Sequence, residues 1–246
     1  MNTERLILTK QDGICTLTLN RPKLHNAMDT AMQVELITTL KKLDTEEQIK
    51  VVVLRGAGKS FCSGADIKSL ADHDAQDRNM SILQPRIFET IANLKKVAVA
   101  SVHGVALGAG FGIVAACDLA IASEDATFGL PEIDLGFFPM AMIGPLMRSI
   151  GRKPALELFF TGKRIDAQEA KRIGLLNAVV LREKLEQSTL DLVKIIATKQ
   201  LDPIMLGKEA LATTMDMEYS KLLRYCADML VVAAAKRRGK AFPPQQ

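Results

Sequence analysis

His103-Gly-Val-Ala-Leu-Gly-Ala-Gly-Phe-Gly-Ile-Val-Ala-Ala-Cys-Asp118 is the stretch on which the reading of this chain turns. A glycine-rich turn runs straight into an apolar helical pattern. The free N–H groups at a helix start carry partial positive charge, and glycine and alanine let a ligand oxygen approach the backbone closely, so the segment suits an oxyanion. It holds no acidic side chain before Asp118.

Outward from this turn, strand-like runs lie at 97–102 and 119–122, and Val51-Val-Val-Leu-Arg55 is a continuous apolar run of strand length. The β-prone runs 6–10 and 14–20 are joined at Gln11-Asp12-Gly13, a hairpin signal. Met32, Leu36, Leu40 and Leu43 recur at helical spacing, as do Ile87, Ile91 and Leu94. Strands alternating with helices predict an α/β core with parallel pairing. Beyond Phe138 the pattern is mainly helical, broken by Gly174 and the run 177–180, and after Glu183 it is helical throughout with a breaker at Pro203. Leu222, Leu223, Met229, Leu230, Val231 and Val232 make these last helices apolar enough to pack on a partner subunit or back on their own core. The polar stretch 72–79 is expected to be mobile.

A chain of 246 residues with 48% hydrophobic content supports one large domain, or a core domain with an appendage. Cys15, Cys62, Cys117 and Cys226 show neither Cys-x-x-Cys pairing nor metal-ligand spacing, so reduced thiols are expected. No signal-peptide core opens the sequence, and no apolar run approaches the ~20 residues that span a bilayer. These features predict a cytoplasmic protein without a membrane partner. The 32 basic and 28 acidic residues are interspersed and aromatics are only 4%, which argues against nucleic acid as partner. The basic cluster Lys236-Arg-Arg-Gly-Lys240 reads first as a solvated face and second as a contact to ligand phosphates.

Two chemistries fit the opening stretch superficially. Gly110-Phe-Gly112-Ile-Val-Ala115 follows a strand as a dinucleotide fingerprint would, but five residues separate Val102 from Gly108 where a tight β–α turn is required. Glu132, at about the distance expected for a ribose-binding acid, follows Pro131 in a loop and does not close a second strand. A triad of Ser63, His103 and Asp118 fails because no Gly-x-Ser-x-Gly elbow surrounds the serine.

Three segments cohere: Phe61-Cys-Ser-Gly-Ala-Asp-Ile-Lys68, the run 104–118, and Phe128-Gly-Leu-Pro-Glu-Ile-Asp-Leu-Gly136. With Asn20-Arg-Pro-Lys-Leu-His-Asn-Ala27, and Thr161-Gly-Lys-Arg-Ile-Asp-Ala-Gln-Glu-Ala170 followed by Gly174-Leu-Leu-Asn177, the chain resembles the enoyl-CoA hydratase/isomerase family, the crotonases. Each motif alone is weak, whereas five in the family's order and spacing are highly specific. The resemblance implies an α/β fold, a crotonase-like spiral of β-β-α repeats over 1–182, with a C-terminal helical trimerisation region over 183–246. It implies an acyl-CoA substrate, no separate cofactor because coenzyme A is part of that substrate, and a homotrimer or a hexamer of paired trimers.

By position, the resemblance maps two oxyanion N–H donors to Ala65 and Ala109, the latter where the family most often has glycine. It places Lys23, Leu24 and His25, and Ser63, Gly64, Asp66, Ile67 and Lys68, along the nucleotide and pantetheine, with Gly108, Gly112 and Phe138 beside the substrate. Small residues in tight turns would look the same, because smallness serves both purposes. Enolate formation next to a thioester carbonyl needs such donors, and losing one typically costs ~10²–10³ in rate. It also needs a carboxylate within reach of the moving proton.

The family's hydratases supply two glutamates, and their positions here are Gly112 and Glu132. A single acid/base at Glu132 is therefore expected, and the phenylalanines and methionines between Phe128 and Met142 should raise its pKa by desolvation. One base suffices to carry a proton between C2 and C4 of a 3-enoyl thioester, whereas adding water is easier with two, so double-bond isomerisation is favoured. An enoyl-CoA hydratase, with a water near Gly112 or an acid from elsewhere, is the first alternative. A catalytically weak CoA-binding or interaction subunit is the second. Met140 stands where dienoyl isomerases carry a further acid, and naphthoate-forming members lack the glutamate at position 132, which counts against both. Asp134 is expected to point away along an extended loop, Asp66 to be a structural turn residue, and Phe137, Phe138, Met140 and Met142 to favour an apolar acyl group.

Overall fold

Asp12 and Gly13 both take positive φ, 50° and 78°, and the hairpin they close pairs β1 (Leu6–Gln11) with β2 (Ile14–Leu19) antiparallel, Leu6 facing Leu19 and Gln11 facing Ile14. A turn of this hand matches the twist of the flanking strands. The computed structural model describes residues 4–66 and 82–237. From β2 the sheet continues through parallel β3 (Val51–Gly56), β4 (Val97–Val102), β6 (Leu119–Ser123) and β9 (Ala178–Val180), in the order β1-β2-β3-β4-β6-β9. Every residue of β4 and Val51 to Leu54 of β3 are buried, as strands covered on both faces require.

A second layer holds β5 (Val105–Leu107), β7 (Thr127–Gly129) and β8 (Ile165–Asp166). Single parallel bridges, Met28 to Ala65 and Cys62 to Ala106, carry this layer back into the earlier turns of the chain. Each turn thus supplies a long strand, a short strand or bridge, and a helix: α1 (Thr30–Thr45), α2 (Leu83–Ala92), α3 (Ala109–Ala116). The residues between Val102 and Gly108, which deny this turn a dinucleotide geometry, contain β5.

Helix α1 starts at Asp29, whose carboxylate accepts the Met32 N–H at 2.8 Å, an N-cap of the kind worth ~1 kcal/mol. Its Met32, Leu36, Leu40 and Leu43 are fully buried, each contributing roughly 1.5–3 kcal/mol. Later helices are α4 (Ile143–Ser149), α5 (Arg152–Thr161), α6 (Ala167–Arg172) and α7 (Leu185–Ala197). Helix α7 lies on the large sheet, with Thr189 and Ser101 hydroxyls 3.0 Å apart and Val193 buried. Contacts accordingly place α7 in a first compact unit that runs to Lys199.

The second unit begins at Gln200 and holds α8 (Leu201–Thr214) and α9 (Tyr219–Arg237), which touch each other. Pro203 does not break the chain there. It sits in the first turn of α8, where a missing N–H costs no helical hydrogen bond. Helix α9 buries none of its residues. Among the described residues, no helix is long and apolar enough to cross a membrane. Ile67, Lys68, the stretch 72–79 and the end of the basic cluster, 238–240, lie outside the described residues.

Candidate active site

The motif at 20–27 is folded around Asn26. Pro22–Leu24 forms one 3-10 turn, and His25 and Asn26 then adopt left-handed φ values of 49° and 57°. Asparagine tolerates that region better than most residues. The buried Asn26 amide donates to the carbonyls of Ala57 (2.9 Å), Ser60 (2.7 Å) and Phe61 (3.1 Å), while its oxygen accepts the Arg21 N–H at 2.9 Å. One side chain thereby ties this motif to the one at 61–68.

The backbone completes the junction. Ser63 N–H donates to His25 C=O (2.9 Å), Met28 N–H to Gly64 C=O (2.8 Å) and Asp66 N–H to Met28 C=O (3.0 Å). Arg21 donates to Asp66 Oδ2 at 3.0 Å and to the Ala27 carbonyl, so this pair helps to hold the loop. His25 Nδ1 lies 2.9 Å from Ser60 Oγ, and Ser63 Oγ donates to Leu24 C=O at 3.4 Å. Lys23 and Leu24 are exposed beside them. The structure thus gathers Lys23, Leu24, His25, Ser63, Gly64 and Asp66 at one place.

Gly64 faces the start of α3: a Cβ on it would stand 3.1 Å from Leu107 O and 3.6 Å from Ala109 N. Ala109 is the first residue of α3, so its N–H has no intrahelical acceptor. Among the described residues, neither the Ala65 nor the Ala109 N–H is engaged by an acceptor. Gly108, at φ 49° and ψ −120°, occupies backbone space open only to glycine, and its N–H donates to Gly129 C=O at 2.9 Å. That bond anchors the turn to β7, which leads directly into the Pro-Glu segment.

Pro131–Leu135 is a 3-10 turn, not the extended loop expected, with proline at its start and Gly136 at φ 81° ending it. Glu132 projects from it onto Gly108: a Cβ at position 108 would stand 2.4 Å from Oε1 and 3.6 Å from Oε2. Glu132 Oε2 is buried and has no hydrogen-bond partner among the described residues. Burial raises the Glu132 pKa, opposed by a hydrogen bond from its own backbone. Asp134, two residues on and so about two thirds of a turn further along, turns instead to Gly162, where a Cβ would stand 3.0 and 3.2 Å from its two oxygens.

Gly112 is enclosed. A Cβ there would meet Phe88 Cζ at 2.4 Å, Met142 Sδ at 2.6 Å and Phe88 Cε1 at 2.7 Å. Phe138 is half-buried, its ring 5.6 Å from Phe159 and 6.3 Å from Phe160, while Phe137 and Met140 beside it are 70% and 68% exposed. Nothing in the sequence marks Phe88 as functional, because its spacing is that of a core helix. Asn26 and Arg21 stood in a quoted motif, and the signal was a polar pair in a turn next to an apolar strand.

The rejected triad is dispersed. His103 Nε2 lies 3.1 Å from Gly58 O, and burial holds its imidazole below the usual pKa. Asp118 accepts the Ala98 N–H at 2.7 Å. Among the described residues, no group of three or more His, Cys, Asp or Glu side chains is placed to hold a metal ion.

These features are those of an acyl-CoA enzyme with the crotonase fold, and comparison with known proteins agrees. The family described as Enoyl-CoA hydratase/isomerase matches residues 9–240, so the chain belongs to it. It is 36% identical to a probable enoyl-CoA hydratase of Rhizobium meliloti, covering 92% of this chain and 88% of that protein. It is 33% identical to the short-chain-enoyl-CoA hydratase of Clostridium acetobutylicum, covering 92% and 87%. The crystal structure of an enoyl-CoA hydratase from Mycobacterium smegmatis superposes with a TM-score of 0.92 at 30% identity, covering 97% of this chain and 93% of that one.

Proposed function

We propose that the protein is an enoyl-CoA double-bond isomerase that uses Glu132 as its single proton carrier and the N–H groups of Ala65 and Ala109 as oxyanion donors. The observation that carries the reading is the contrast between Gly108, which caps α3, and Gly112 within it. Against Gly108 lies a carboxylate whose buried Oε2 has no hydrogen-bond partner among the described residues, and a Cβ at Gly112 would already meet Phe88 and Met142.

On a 3-enoyl thioester, Glu132 removes a proton from C2, and the C–H electron pair moves towards the thioester oxygen. The two N–H groups stabilise that oxygen as it gains charge. Glu132 then returns the proton at C4, leaving a C2=C3 double bond and a regenerated carboxylate. A buried carboxylate with a raised pKa suits both halves, being basic enough to take the proton and acidic enough to return it. Lys23, Leu24, His25, Ser63, Gly64 and Asp66, with Ile67 and Lys68 beyond them, border the CoA moiety in this reading. Gly108, Gly112 and Phe138 adjoin the acyl group, and no cofactor is needed besides the coenzyme A that the substrate brings.

A hydratase reading has its own support, because the relatives above are named as enoyl-CoA hydratases. Offering 2-enoyl-CoA and 3-enoyl-CoA separately, with products read by mass, decides between them. Isomerisation of the second without hydration of the first is expected, and the reverse would overturn the isomerase reading. A panel of acyl-CoAs that bind without any turnover would instead favour a binding subunit.

A further inference from the structure

Gly108 caps the start of α3 and Gly112 lies one turn into it, four residues on. Glu132 lies against Gly108. At Gly112 the corresponding volume holds the Phe88 ring and the Met142 thioether. Both side chains are buried, at 5% and 1% exposure. Phe88 comes from α2, and Met142 from the 3-10 turn Met140–Met142 that leads into α4, and both elements pack against α3. The closure is therefore built from two separate parts of the chain and does not follow from glycine at 112 alone.

We propose that Phe88 and Met142 set the reaction type of this site, by sealing the volume beside Gly112 against both a second carboxylate and a water molecule. The proposal rests on the isomerase reading above. Carbon and sulfur atoms fill the space next to the Gly112 backbone, and a water placed there would find few polar partners. Hydration of a 2-enoyl thioester needs both things that are shut out. The water oxygen bonds to C3 as the C2=C3 π pair moves towards the thioester oxygen, one carboxylate takes the water's proton, and a second carboxyl, already protonated, gives its proton to C2 as the enolate collapses. With that volume closed, the dienolate of a 3-enoyl thioester meets only the protonated Glu132. Phe88 and Met142 act through the shape of the site, and the property that reports on them is the choice of product.

The test removes the contacting atoms with modest change elsewhere. Phe88→Leu deletes Cζ and Cε1, and Met142→Ala deletes the sulfur. The full-length double variant is compared with the same variant carrying Gly112→Glu, and with Gly112→Glu alone. The quantity read is the rate of 3-hydroxyacyl-CoA formation from 2-enoyl-CoA divided by the rate of 2-enoyl-CoA formation from 3-enoyl-CoA. We expect this ratio to rise about tenfold in the double variant. In the triple variant the rise should be roughly 10²-fold or more, as a newly positioned acid/base would give. Gly112→Glu alone, having no space, should gain no hydration. If the triple variant fails to fold, the double variant decides, and if that also fails, Met142→Ala is read on the same ratio with a several-fold rise expected. A ratio that stays flat in folded variants overturns the proposal while leaving the isomerase reading intact. A wild-type protein that mainly hydrates overturns both.

Discussion

Glu132 and Gly108 are in contact such that any side chain at 108 would collide with the carboxylate, since a Cβ there would lie 2.4 Å from Oε1. The same glycine sits immediately before Ala109, whose N–H at the start of α3 meets no acceptor among the described residues. One position thus sets both the place of the base and the direction of a donor. Gly108→Ala should lower stability by about 1–3 kcal/mol, because φ 49° with ψ −120° is strained for alanine. It should lower turnover by about 10² or more, as displacement of a catalytic group by ~1 Å does. Thermal melts and steady-state kinetics check both, and full activity in a folded Gly108→Ala protein would remove this contact from the mechanism.

Glu132→Gln should lower turnover by roughly 10²–10⁴ with little change in CoA binding, because the amide keeps the shape and loses the base. In the wild type the base must be ionised, so kcat/KM should climb with pH through a pKa above the ordinary glutamate range, and that limb should vanish in the variant. The effect on stability has the opposite sense. Burial raises the folded-state pKa above the unfolded one, so the protonated native form is favoured below the unfolded pKa, and this advantage is lost as pH rises through the folded pKa. At neutral pH the glutamine variant should therefore melt higher than the wild type, with the gap shrinking in acid. A variant that melts lower at pH 7 would show that the Glu132 charge is compensated in the fold.

Arg21 joins Asp66, the neighbour of Ala65, at 3.0 Å and also lies 3.5 Å from Asp29, with all three side chains under 20% exposed. Arg21→Met should cost about 1–4 kcal/mol, between the ranges for exposed and for buried pairs. It should also lower kcat more than it changes KM, since it loosens the loop that aims the Ala65 N–H. Asp66→Asn should reproduce part of the loss, and the double variant should cost less than the sum of the two single changes. Additive losses would mean that the two residues act independently.

Much of this fold was legible because its signals are local. The Asp12-Gly13 turn, the fully apolar Val51 to Leu54 and the Met32 to Leu43 spacing each state one element's geometry within a few residues. Strand β5 was hidden, because three residues cannot display a period. Glu132 could be picked out, but its 3-10 setting could not, since proline followed by mixed residues fits an extended loop as well. Phe88 and Met142 were legible only as apolar residues. Their meaning lies in meeting Gly112 from distant parts of the chain, and no spacing encodes that contact. Likewise α7 reads as one more C-terminal helix until Thr189 meets Ser101 across 88 residues.

Helix α9 places Tyr219, Leu223 and Leu230 on one face by their spacing, and these residues are 72%, 51% and 72% exposed, with the adjacent Val231 at 70%. An apolar helix face of this kind, on a unit that begins at Gln200, is what a subunit contact would use. We propose that α9 takes part in the trimer contact expected of residues 183–246, in a homotrimer or in paired trimers. Light scattering on the purified protein should give three or six times the chain mass. Leu223→Glu combined with Leu230→Glu should shift it towards one chain mass without unfolding the first unit, because a charge in an apolar contact costs several kcal/mol when it has no partner. An unchanged mass in that double variant would take α9 out of the interface, and a monomeric wild type would refute the assembly itself.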